Sequence, residues 1–164
     1  MILNTGEKDN PITFSSHTGV SPSALIVQDM LDRVRREFIS SNISFGDHLA
    51  VILEELLKLK DETSVINWDG YGAVALNNES FQVSEKFALS LPFDTPIPNV
   101  YAMATGEVVF EWYRGKRQLF SVMVGGDSTL SYAGLFGTDT DFGTVHFDEK
   151  IPLILISNIQ RVYS

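Results

Sequence analysis

Glu107-Val108-Val109-Phe110-Glu111-Trp112-Tyr113, a break at Arg114-Gly115-Lys116, and Leu119-Phe120-Ser121-Val122-Met123-Val124 form the stretch whose reading decides the fold. Both runs carry β-branched and aromatic residues at a strand period of two, and so short a connection permits only an antiparallel return. The pattern repeats outward. Val100 to Ala104 precedes it across Thr105-Gly106, Leu130 to Ala133 follows it across Gly125-Gly126-Asp127, and Thr144 to Phe147 extends the series. Four to five strands in meander order are predicted. In the second strand, alternation puts Val108, Phe110 and Trp112 on a core face, and Glu107, Val109, Glu111 and Tyr113 on the reverse.

Helical periods flank the strands. Ser21-Pro22 is a helix start, with serine as N-cap and proline in the first turn, and Val27, Met30/Leu31, Val34 and Phe38 recur at helical spacing. After Ser40-Ser41-Asn42, the Ser44/Asp47 pair resembles a capping box and leads into Leu49, Ile52/Leu53, Leu56/Leu57 and Lys60. These segments read as a helical hairpin whose stripes cover either their own sheet or a second copy. Val83, Phe87/Ala88 and Leu91 give a third helix, stopped by Pro92 and the Pro96-Ile97-Pro98 linker. Ile151, Ile154/Leu155, Ile159 and Val162 fit a closing helix, preferred over a buried strand at Ile151 to Ile156. The expected fold class is α+β, with helices on one face of an antiparallel sheet. The expected organisation is an arm over 1–20 with a short edge strand at Pro11 to Phe14, a helical hairpin over 21–61, and an α+β domain over 62–164. The hairpin is read as a homodimerisation element through residues 22–60.

Composition narrows the function classes. The 164 residues carry 12 basic and 21 acidic side chains, a formal charge of −9, which opposes any broad nucleic-acid surface. The clusters Arg33, Arg35, Arg36 and Arg114, Lys116, Arg117 read as solvated patches. There is no cysteine, so disulfides, thiolate zinc sites and thiol nucleophiles are excluded. Met1 to Asn10 lacks the pattern of a secretory signal, and no stretch approaches a membrane span, so a cytoplasmic location is expected.

The run Asn67-Trp68-Asp69-Gly70-Tyr71-Gly72-Ala73 is a built loop. Gly70 and Gly72 accept positive φ, Asp69 bonds nearby backbone, and Trp68 and Tyr71 are read as anchors, with the indole largely buried. Trp68-Asp69-Gly70-Tyr71-Gly72-Ala73, Pro96-x-Pro98, Gly106-Glu107-Val108-x-Phe110-Glu111-Trp112 and Leu130-Ser131-Tyr132-Ala133-Gly134 occur in that order. In this the chain, over roughly residues 65–160, resembles a set of uncharacterised bacterial proteins sharing the loop. The resemblance implies a compact bacterial cytoplasmic domain and brings no catalytic residue. The helical region before Ser64 lies outside it.

His17, His48 and His146 sit in no catalytic motif; His146, near Asp148, is read as structural or solvent-facing. Thr138-Asp139-Thr140-Asp141 reads as turn chemistry rather than a cation loop, and Gly125-Gly126-Asp127 as a hairpin turn rather than a phosphate cradle. No metal, cofactor, catalytic residue, nucleic acid or membrane partner is expected. The constellation that invites a site is Asp69, Tyr71, Glu111, Tyr113 and Tyr132, a polar groove if the glycine loop folds over the reverse face of the second strand. Two functions fit. The favoured one is a non-catalytic binding or regulatory module, antitoxin- or immunity-like, whose acidic surface meets a basic protein. The other is a small metal-independent hydrolase using the Asp69/Glu111 face.

Overall fold

The computed structural model describes residues 45–164, and the expected arm and first hairpin segment lie outside them. The elements run α1 (Phe45–Glu62), α2 (Asn78–Ser90), β1 (Asn99–Ala102), β2 (Val108–Gly115), β3 (Gln118–Val124), β4 (Thr129–Phe136), β5 (Asp139–His146) and α3 (Leu153–Tyr163). All neighbours pair antiparallel in the order β1-β2-β3-β4-β5, so the sheet is an open five-stranded meander. The fold is α+β, as the alternating runs predict.

Register follows from the need to bury one face. Phe110 lies opposite Val122, and Trp112 opposite Phe120. With Val108, Val124 and Leu130 they are fully buried, and Leu53 and Leu56 of α1, Phe87 of α2 and Leu155, Ile159 and Val162 of α3 join them in one core. Each such side chain contributes on the order of 2 kcal/mol by leaving water. Phe87 sits edge-on to Phe110 at 4.9 Å, and Trp112 stacks on Phe120 at 6.1 Å. The stripe Ile52, Leu53, Leu56 and Leu59 is thus buried within the chain's own core. That half of the expected homodimer interface is occupied internally; residues 22–44 lie outside the described residues.

Polar rivets set where the elements meet. Asn77 caps α2 by accepting from the Ser80 amide at 3.0 Å, and Leu91, extended ahead of Pro92, ends it. Buried Ser80 donates through Oγ to the Val124 carbonyl at 2.6 Å and accepts from the Val108 amide at 3.1 Å, tying α2 to β2 and β3. The Trp112 indole donates to the Pro96 carbonyl at 2.7 Å, fixing the proline linker against the sheet. Lys60, at the end of α1, lies over the Phe81 ring at 4.2 Å.

The last two strands are longer than the hydrophobic runs predict. Of Thr138-Asp139-Thr140-Asp141 only Thr138 belongs to the turn; the other three open β5, where Asp141 accepts from Asn158 Nδ2 at 2.7 Å and Asp139 lies 3.8 Å from Arg161. Their α3 partners make an acidic segment compatible with an inward strand face. Arg161 also covers Phe136 at 4.0 Å and donates to Asn158 Oδ1 at 3.2 Å.

Candidate functional site

The glycine loop is held by its own backbone and by two short side chains. The Asn67 amide donates to the Ala73 carbonyl at 2.6 Å, and the Gly70 amide to the Asn67 carbonyl at 3.0 Å. Asn67 Oδ1 accepts from the Gly72 amide at 2.8 Å, while Asp69 Oδ1 accepts from the amides of Tyr71 at 2.8 Å and Ala73 at 3.1 Å. Asn67, Gly70 and Gly72 have φ of 62°, 77° and 96°, the left-handed region that this asparagine and two glycines tolerate. The Tyr71 amide above all, and then that of Ala73, hold the Asp69 carboxyl below its ordinary range.

The anchors differ from expectation. Trp68 is half-buried, and its indole donates to the Val74 carbonyl at 2.9 Å, so it closes the loop by a hydrogen bond without entering the core. Tyr71 is no anchor: it is 94% exposed, with Ile66 (78%) and Val65 (61%) exposed in the same connection. The small Ala73 is the buried member of the loop.

The expected groove does not assemble around the five named residues. Val74 and Asn77 donate to the carbonyls of Ala104 and Gly106, so the bonds docking the loop run to the β1–β2 turn rather than over the sheet. At that turn Gly106 has φ of 93°, and a Cβ there would stand 2.9 Å from the Ala75 carbonyl oxygen. Asp69 and Tyr71 therefore belong to the loop, while Glu111 and Tyr113 share the outer sheet face. Tyr132 is on the opposite face, because it pairs with Val122 in the core row and its ring lies 6.0 Å from Phe120. Reading Tyr132 with Glu111 fails because alternation in β4 puts it in register with Phe110 and Val122, not with Glu111 and Ser121.

The residue that does meet Glu111 is Tyr101, which sequence reading left out of the site. Its hydroxyl donates to Glu111 Oε2 at 3.3 Å, diagonally across the β1–β2 pair. Burial, followed by repulsion from the Glu111 charge, pushes the Tyr101 phenol above its ordinary value. The signal was present in the register: once β1 pairs with β2, Tyr101 falls on the same face as Glu111. In the β3–β4 turn, hydrogen bonds from Thr129 above all hold the Asp127 carboxyl below its ordinary range, and His146, at the end of β5, is exposed. That turn is a hairpin turn, with Asp127 Oδ1 accepting from the Thr129 amide at 3.0 Å. Among the described residues, no three of the histidines, aspartates and glutamates gather as metal ligands, and no helix is long and apolar enough to cross a membrane.

The fold and these two surfaces define a class: an open antiparallel meander backed by helices, with a preorganised loop at one end. Comparison with protein-family models, with curated proteins and with solved structures gives no match.

Proposed function

We propose that this chain is a non-catalytic binding module that engages a basic protein through the glycine loop. The observation that carries the reading is the conformation of Tyr71. Asn67, Asp69 and two left-handed glycines hold the loop in one shape, and that shape projects an aromatic ring almost wholly into water. A rigid, exposed tyrosine loses little entropy on binding and offers apolar area with a polar tip, the properties of an interface anchor. Asp61, at the end of α1, and Asp69 add carboxylates to the same connection, which suits an apolar pocket with a basic rim, while Glu62 pairs with Lys58 at 4.0 Å. An antitoxin or immunity role, and a place among the bacterial proteins sharing the loop, accord with this chemistry. The hydrolase alternative gains nothing comparable, because the Asp69 carboxylate is engaged by loop amides and Glu111 by Tyr101.

Affinity capture with the tagged full chain tests the reading when wild type and Tyr71→Ala are compared under identical conditions. A basic protein retained by the wild type and lost by the variant, at unchanged unfolding midpoint, is the expected result. Equal retention by both refutes Tyr71 as the anchor.

A further inference from the structure

The helices described above share one core with the inner face of the sheet, which leaves the outer face to be accounted for. Strand register sorts the central outer positions into rows. Val109, Met123, Ser131 and Thr144 form one row, and Glu111, Ser121, Ala133 and Phe142 the next. Tyr113, Leu119, Leu135 and Thr140 complete the face. Phe142 is 79% exposed, its neighbour Ala133 is exposed and Tyr113 in the third row is 53% exposed, whereas Val109 in the first row is buried (4%), so the open part of the face lies toward β4 and β5 and the Tyr113 end of β2. In the middle row the small Ser121 and Ala133 lie between Glu111 and Phe142, with Met123, Leu119 and Leu135 in the rows beside them.

We propose that a second copy of this chain docks on this outer sheet face. Two features select that occupant over a basic partner. The first is charge: in a chain of net charge −9, the three rows contain one ionisable carboxylate, Glu111, and no lysine or arginine. Two such chains repel across most of their surfaces, and this is a region where they approach at little electrostatic cost. A basic protein gains nothing from it, since its complement is the acidic connection around Tyr71. The second is area. The 35 strand residues, on strands about 4.8 Å apart and rising roughly 3.3 Å each, present roughly 550 Å² in projection over the whole sheet. Side-chain relief raises that toward the roughly 800 Å² per partner of a stable interface. Face-to-face packing of two sheets about 10 Å apart is an established way to cover such a surface, and the small Ser121 and Ala133 allow close approach at its centre.

Sedimentation equilibrium of the full chain over a concentration series tests this, with three variants alongside the wild type. The wild type is expected to show a reversible monomer–dimer equilibrium. Ala133→Glu puts a carboxylate near the centre of the face on both copies, and its dissociation constant should rise about a hundred-fold or more. Phe142→Ser should weaken association in the same direction, whereas Tyr71→Ala, on the separate loop, should leave it unchanged. The two outer-face variants should keep the wild-type circular dichroism spectrum. A concentration-independent monomer overturns the proposal, including one in which Ala133→Glu lowers the unfolding midpoint because residues 1–44 cover the face within one chain. A dimer indifferent to both outer-face substitutions also overturns it. Loss of partner capture by Tyr71→Ala bears on the loop alone, so the two readings fail separately.

Discussion

Replacing Ser80 and Ser84 by alanine, one at a time, separates burial from hydrogen-bond geometry in α2. Both hydroxyls are buried in the same helix, so any account based on burial alone predicts similar losses. Their partners differ. Ser80 Oγ donates to the Val124 carbonyl and accepts from the Val108 amide, neither in its own helix. Ser80→Ala leaves two backbone groups without that partner in a dry region, each costing roughly 1–3 kcal/mol, for a total of about 3 kcal/mol. In a domain of this size that is a fall of roughly 10 °C in Tm. Ser84 Oγ donates at 2.8 Å to the Ser80 carbonyl one turn back, which the helical amide of Ser84 also reaches. Ser84→Ala orphans nothing and removes a side chain that competes with helical hydrogen bonding, so its effect should stay within about 1 kcal/mol. Urea unfolding of both variants, followed by circular dichroism, measures the difference. Equal destabilisation would refute the view that Ser80 pins α2 to the strands.

Gly70→Ala and Gly106→Ala separate backbone strain from collision: both force alanine to positive φ, at roughly 1–2 kcal/mol. Gly70 faces open space, whereas Gly106 also meets the Ala75 carbonyl, so thermal denaturation should show the second to be clearly the more damaging. Gly134→Ala would set a Cβ 2.5 Å from the Phe136 ring, and overpacking of about 1–3 kcal/mol should appear in the same assay. For Asp69 the folded-state value is depressed, so its stabilising contribution is full above the ordinary aspartate value of 3.8 and is lost as pH falls through the lower folded value. Amide exchange at Tyr71 and Ala73, referred to the intrinsic rate at each pH, should lose protection in that acidic window. Asp69→Asn should remove the dependence.

The sequence by itself determined the sheet and its helices, because burial acts through local period. A two-residue alternation in β2 and β3 can bury Phe110, Trp112, Phe120 and Val122 together only as an antiparallel pair, and the spacing of Ile52, Leu53 and Leu56 suits only a helix against them. The loop was legible as a loop from Gly70 and Gly72, since their positive φ is a local steric matter. What lay on each side of it was not. Whether Trp68 or Trp112 would be the buried indole depends on what stands opposite, and tertiary packing gave that place to Trp112, between Phe120 and the proline linker. Likewise, Asp139 and Asp141 read as turn residues until Asn158 and Arg161, distant in sequence, supplied partners that let them join a strand. The five residues gathered from sequence divided among a loop and two sheet faces for the same reason. A side chain's face is local, but which faces meet is decided by long-range register and by the contacts that dock the loop at the β1–β2 turn, and no spacing along the chain encodes either.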